Sequence, residues 1–159
     1  MNAPHKSLQK KSSARLAAAQ AIYGGEMSGQ LGSSQKLAQH VLGSWRDSKR
    51  EDDSTLPTDA MPDAALLQKI LDSFVAHQPA IDAAIDSLIL PNWKRERMSA
   101  VLIATLRSAA AEALLDAKKP RGLVVREYTQ VGASLVSEDE TAYLHKALNL
   151  LLDALSAHG

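Results

Sequence analysis

Residues 92–118, NWKRERMSAVLIATLRSAAAEALLDAK, constrain the fold more than any other stretch of the chain. No glycine or proline interrupts it between Trp93 and Lys119, and alanine and leucine, strong helix formers, fill it. Met98, Val101, Leu102, Thr105, Leu106, Ala109 and Ala113 step by three and four, the spacing of one apolar helical face. Arg97, Ser108, Glu112 and Asp116 are expected on the opposite, polar face. A helix this long, carrying small alanines, lets other helices approach closely. The stretch therefore predicts the central helix of an all-α domain.

The other periodicities agree. Residues 1–12 are polar, lysine-bearing and aperiodic, which predicts a flexible basic arm ahead of a domain over 13–159. A first helix is expected from Ser12 or Ser13, either of which can cap it, with Leu16, Ala19, Ile22 and Tyr23 along one face. Gly24 and Gly25 weaken or end it, unless Glu26 and Met27 prolong it by a turn. After a Gly/Ser loop over 29–34, Leu37, Ala38, Val41, Leu42 and Trp45 mark a second helix, and residues 46–58 read as an exposed, charged loop. Leu66, Leu67, Ile70, Leu71, Phe74 and Val75 mark a third helix that Pro79 is expected to break. Ile81, Ile85 and Leu88 are left on a short fourth.

Beyond the central helix comes a basic turn, 118–122. Val124, Val125, Tyr128, Val131, Gly132 and Leu135 follow at helical spacing, although residues 123–125 alone also suit a strand. Ser137 and Glu140 have capping-box spacing. They open a last helix carrying Tyr143, Leu144, Ala147, Leu148, Leu151, Leu152 and Leu155. About seven helices with short connections, and no alternating strand pattern, make a single-domain helical bundle.

Composition excludes several functions. The 159-residue chain has no cysteine, so disulfides and thiol catalysis are out and a reducing, cytoplasmic setting fits. No signal peptide and no membrane-length apolar run are visible. His5, His40, His77, His145 and His158 share no ligand spacing, so no metal is expected. No phosphate-binding glycine loop is present. Asp82 and Asp86, four apart, read as a solvated face. Neither enzymatic activity nor a cofactor is expected. The zero formal net charge hides an asymmetry: the first 25 residues carry Lys6, Lys10, Lys11 and Arg15 and no acid. Lys10, Lys11 and Arg15 are close enough to follow one phosphate backbone, and Tyr23, two turns beyond, offers a ring for stacking on an unpaired base. The plainer reading is that the lysines keep an arm soluble and Tyr23 is core.

The stretch ARLAAAQAIY over 14–23, followed by Glu26, Met27, Ser28 and Gly29, resembles the opening of the NusB family of transcription antitermination factors. Over residues 81–115, Ile81, Asp82, Ile85, Leu88, Trp93, Arg97, Val101, Leu106, Arg107, Glu112 and Leu114 are similar to its pattern of Ile-Asp, Trp, Arg and Leu-Arg-x-Ala-x-x-Glu-Leu. Pro120, Val124, Val125 and Glu127 fit its Pro-x-x-Val-x-Ile-Asn-Glu segment. Glu138, Asp139 and Tyr143 fit the acid-Asp…Phe-Val-Asn-Gly segment near its end. Residues 30–75 match only as helices.

The resemblance implies a non-enzymatic, all-helical, NusB-like fold. It implies binding of the boxA element of ribosomal RNA leader transcripts together with NusE, the small-subunit ribosomal protein S-ten. Loading onto RNA polymerase with the other Nus factors then suppresses termination. Lys11 and Arg15 match the family's basic RNA-contacting run and Lys10 lies beside it. Tyr23 matches its RNA-facing tyrosine, Asp139 an aspartate near the RNA and Tyr143 an aromatic beside that. Against these roles stand structural ones: Asp139 favouring a helix N-terminus, Tyr143 in the core, and Arg107 paired with a neighbouring acid.

The departures from the family pattern have consequences. The arginine-rich run is reduced to Lys10, Lys11 and Arg15, giving fewer planar forks for phosphate. The Asn-Glu-Ala step is Arg126-Glu127-Tyr128, and Phe-Val-Asn-Gly is Tyr143-Leu144-His145-Lys146. Lys118, Lys119, Arg121, Arg126 and Lys146 are candidates for compensating charge. The alternative expectation is a NusB-like protein-interaction module that has lost RNA. A third relative, the NusB-like domain fronting some ribosomal-RNA cytosine methyltransferases, would need a methyl-donor region, and the chain to Gly159 shows none, so a free-standing factor is expected. A homodimer is also compatible, since some family members self-associate through their RNA surface.

Overall fold

In the computed structural model every residue from 102 to 112 is buried. The helix that carries them is surrounded by others. The structure describes residues 3–51, 60–89 and 98–157, which form six helices and no strand. These are α1 (Ala3–Ser28), α2 (Ser34–Glu51), α3 (Ala64–Ile89), α4 (Ala100–Leu115), α5 (Arg121–Leu135) and α6 (Glu138–Ala157). Helix α4 packs against α1, α3, α5 and α6. The expected central helix is thus central, but its amphipathic reading needs correction. Ser108 and Glu112, assigned to a polar face, are as buried as Leu102 and Leu106, and among the described residues of that face only Asp116 is exposed. Arg97 and the expected start near Trp93 lie outside the described residues.

Helix boundaries follow local chemistry. Ser99 caps α4 by accepting the Leu102 N–H at 3.1 Å. The helix ends at Leu115, where Asp116 adopts extended backbone and accepts the Lys118 and Lys119 N–H groups on its side chain and carbonyl. Ser137 caps α6 as expected, accepting from the Glu140 N–H at 3.2 Å. Residues 123–125 are helical, within α5.

Three expectations change. Helix α1 begins at Ala3 rather than at Ser12 or Ser13, so Lys10 and Lys11 are helical residues rather than part of an irregular arm. This start leaves Pro4 in the first turn, where a missing N–H costs nothing. Of the two ends weighed for α1, the prolongation through Glu26 and Met27 is the one that forms, and neither glycine of the pair Gly24 and Gly25 ends it. Gly29 does, at φ +71°, with Gln30 N–H donating to Gly25 O and Gly29 N–H to Glu26 O. Pro79 sits inside α3 instead of breaking it, so the expected third and fourth helices are one, and six helices replace seven. A mid-helix proline costs about 3 kcal/mol. Leu67, Ile70, Leu71 and Phe74 before it and Ile81 and Ile85 after it are all fully buried. At about 1.5–3 kcal/mol per large apolar side chain, that burial outweighs the lost bond and holds both halves in line. Helix α2 extends into the expected loop as far as Glu51; residues 52–59 lie outside the described set.

Segment 60–63 is tied to the start of α1. Asp63 N–H donates to Lys10 O at 3.0 Å and Ser13 Oγ donates to Ala60 O at 2.9 Å. At the other side of the bundle α5 and α6 meet closely. A Cβ built on Gly132 would lie 2.1 Å from Leu144 Cδ2, and Leu144 is fully buried. Gly132→Ala is expected to destabilise the protein by about 1–3 kcal/mol through overpacking, despite the better helix propensity of alanine. Gly122→Ala, whose Cβ meets nothing within 4 Å, should lose none. Urea denaturation of both variants checks this, and a Gly132→Ala protein as stable as the parent would refute the close α5–α6 contact.

Candidate nucleic-acid interface

The cation that led the expected RNA-contacting set faces inward. Arg15 is 6% exposed and its guanidinium is committed to Glu112, which is 0% exposed. Arg15 Nε lies 2.9 Å from Oε1 and 3.1 Å from Oε2, and Nη2 lies 2.9 Å from Oε2. Lys119 Nζ donates to Oε2 at 2.7 Å and Tyr128 Oη donates to Oε1 at 2.8 Å. Tyr128 in turn pairs with Ser108 Oγ at 3.0 Å. Glu127 stands 3.7 Å from Arg15 Nη1. One carboxylate therefore joins α1, α4, α5 and the turn between the last two.

Burial opposes charge on both partners, but the bonds exchanged by Arg15 and Glu112, with Lys119 adding to them, outweigh it. The glutamate pKa is lowered and the arginine pKa raised. Burial, and then the charge of Glu112, push the Tyr128 hydroxyl well above the usual tyrosine value. Arg15 is thus a strut of the fold: Nε and Nη2 are engaged by a buried carboxylate, and the rest of the guanidinium belongs to a side chain only 6% exposed.

A second pair repeats the pattern. Arg107 Nε and Nη2 meet the two Asp82 oxygens at 2.9 and 3.0 Å, and its guanidinium stands 5.7 Å over the Phe74 ring. Glu26 of α1 approaches Nη1 at 3.5 Å. The expected pairing of Arg107 with a neighbouring acid is made with Asp82.

The other expected residues fall into separate places. Lys10 and Lys11 are exposed near the start of α1. Lys11 lies one turn before Arg15 on the same face, the side on which Lys119 anchors the α4–α5 turn. Lys118 and Arg126, near that turn, are exposed. Among the described residues Lys118, Arg126 and Lys146 make no ion pair, whereas Lys119 is spent on Glu112 and Arg121 on Asp153. Tyr23 is 37% exposed, and Met27 one turn on is 58% exposed. The core reading of Tyr23 is excluded. Asp139 is exposed in the first turn of α6. Tyr143, one turn on, is half-buried, with its hydroxyl 3.8 Å from Met98 Sδ and its pKa raised by burial to about 12. Met98 adjoins the start of α4, about 18 Å along that helix from Glu112 at 1.5 Å per residue. The lysines and the Asp139–Tyr143 patch thus occupy opposite ends of α4. Ser108, Tyr128 and Glu112 were not expected to act together; with Arg15 their shared contact spans three separate stretches and leaves no local signal in the sequence.

Comparison with known proteins now bears on this arrangement. The model of the NusB family matches residues 12–144. The transcription antitermination protein NusB of Bradyrhizobium sp. (strain BTAi1 / ATCC BAA-1182) is 32% identical over 142 residues, covering 89% of this chain and 80% of its own. The chain belongs to the NusB family. The NusB protein of Rhodopseudomonas palustris (strain TIE-1) is likewise 32% identical, over 88% of this chain and 77% of its own. A chain in the crystal structure of a plectonemic RNA supercoil has the same fold, with a TM-score of 0.70 at 19% identity, covering 94% of this chain and 99% of that one. The family is one of transcription antitermination factors, not of enzymes. Arg15, Tyr23, Asp139 and Tyr143 fall inside the matched span, and Lys10 and Lys11 just outside it. Among the described residues no helix is long and apolar enough to cross a membrane.

Glu112 ionises more readily in the folded protein than in the unfolded chain. Its contribution to stability is complete above its ordinary value of 4.5 and is lost as the pH falls through the lower folded value. Glu112→Gln is expected to cost about 3 kcal/mol at pH 7, because Arg15 and Lys119 lose their buried counter-charge. The variant should also lose stability less steeply than the parent on acidification below pH 4.5. Urea melts at neutral and acid pH measure both, and parallel pH profiles would contradict the assignment.

Proposed function

We propose that this NusB-family chain is an RNA-binding transcription antitermination factor. In this reading it takes up a boxA-type element of a ribosomal RNA leader together with NusE and acts with the other Nus factors on RNA polymerase complexes in the cytoplasm. The observation that carries the reading is family membership over residues 12–144. The surface chemistry supports it. Lys10, Lys11, Lys118 and Arg126 present cations around the start of α1 for phosphate. Tyr23 offers a solvent-facing ring for a base. Asp139 and Tyr143 form a second contact at the far end of α4, so one strand reaching both patches must run several nucleotides across the domain. With Arg15 engaged internally, the cations available to RNA are few. Affinity of the chain alone is accordingly modest, and NusE supplies the remainder.

The same fact favours a second reading, a NusB-like protein-interaction module without RNA. Fluorescence anisotropy of a labelled boxA-type RNA and a scrambled control, with and without NusE at two salt concentrations, separates the two. The antitermination reading predicts selective binding that tightens with NusE. It also predicts that replacing both Lys10 and Lys11 by alanine lowers the salt slope by about 1.4, at about 0.7 per phosphate contact on single strands. Binding of NusE with no RNA selectivity would establish the second reading instead.

A further inference from the structure

Helices α1 and α2 do not close on one another along their whole length. Between them runs a half-open groove of about 790 Å³, a volume within the range of ligand sites. Its floor is made of residues with little or no side chain, Ala21, Gly24 and Gly25, backed by Leu37, Val41 and Trp45, each about 5% exposed or less apart from Leu37 at 6%. Polar side chains stand in the walls beside apolar surface, and among the described residues no aspartate or glutamate lines the groove. This is notable in a chain with 18 acidic residues.

The polar groups include one cation that only donates and several groups that can donate. Lys36 and His40 stand on α2, with the hydroxyls of Ser44 and Ser48 on the same helix. Gln20 enters from α1 with its amide already oriented. Trp45 Nε1 donates to Gln20 Oε1 at 2.8 Å, which fixes the amide and leaves the two N–H bonds of Nε2 for a ligand. Donors, a cation and a floor of small residues that permits close approach suit a phosphodiester with its bases.

We infer that the α1–α2 groove seats a stretch of single-stranded RNA flanking the boxA-type element. The inference rests on the RNA-binding reading above and extends it to a second surface, separate from Lys10, Lys11 and Tyr23. Gly24 supplies the test, because it lines the groove and a Cβ there meets nothing within 4 Å, so a longer side chain at the groove is accommodated without disturbing the core. Gly24→Met should fold at least as well as the parent, since it removes a helix glycine.

The experiment compares a short RNA holding the boxA-type element alone with a longer RNA carrying single-stranded flanks on both sides. The parent should bind the longer RNA about tenfold more tightly, a factor in keeping with one or two added base contacts. Gly24→Met should abolish that advantage and leave the short RNA unchanged. Lys36→Gln should lower the salt slope for the longer RNA alone by about 0.7. Equal affinity of the parent for both RNAs, or an advantage that survives in Gly24→Met, would overturn the groove assignment while leaving the boxA reading intact. Failure of the parent to bind either RNA would overturn the boxA reading and the groove assignment with it.

Discussion

The Glu112 carboxylate sets the terms for the rest of the structure. It is fully enclosed, and an ionised carboxylate inside a protein is tolerated only when its oxygens are saturated by charged or polar donors. Those donors come from Arg15 on α1, Lys119 in the α4–α5 turn and Tyr128 on α5. Satisfying one side chain therefore brings three stretches of chain to one point of α4. A buried cluster of this kind adds little net stability over apolar side chains of the same volume. What it specifies here is the register at which α1 lies on α4, because only one placement of α1 brings the Arg15 fork to both glutamate oxygens. The Arg107–Asp82 pair does the same for α3, and Glu26 returns the contact to α1.

With α1 fixed, the surface it leaves is determined. Arg15 and the alanines turn inward, while Tyr23 and Met27 turn outward. Lys10 and Lys11 emerge one turn before the buried fork, beside the turn that Lys119 secures. The residues that carry the resemblance to the family thus divide into two kinds. Arg15, Asp82, Arg107 and Glu112 build the scaffold, and Tyr23 and Asp139 remain at the surface. Function, in this account, depends on the first kind only through the geometry they impose on the second.

Much of the architecture was legible because burial in a small helical domain is usually one-sided and periodic. The stripes of Leu67, Ile70, Leu71 and Phe74, and of Leu144, Leu148 and Leu151, read correctly, as did the Ser137 cap. Periodicity failed where burial has no side. Around α4 every residue from 102 to 112 is covered, so Ser108 and Glu112 looked like a solvated face although they are core. Pro79 misled for a related reason: the local rule for proline was overridden by the buried side chains on either side of it. The site was less legible than the fold. Arg15 sits in a basic, acid-free run, the usual mark of a phosphate contact, and its true partner lies 97 residues away. Nothing local signals that an arginine will turn inward when its acid is that distant in the chain.

The central claim is that Arg15 works as a buried strut for Glu112 and does not contact RNA. A double-mutant cycle on Arg15→Met and Glu112→Leu, followed by urea denaturation, tests it most directly when the RNA salt slope of the double variant is measured alongside. The account predicts a coupling energy of about 2–3 kcal/mol between the two positions, the double variant being far less destabilised than the sum of the singles. It further predicts a salt slope equal to that of the parent. Additive losses of stability, together with a slope smaller by about 0.7, would instead make Arg15 a phosphate contact and contradict the account.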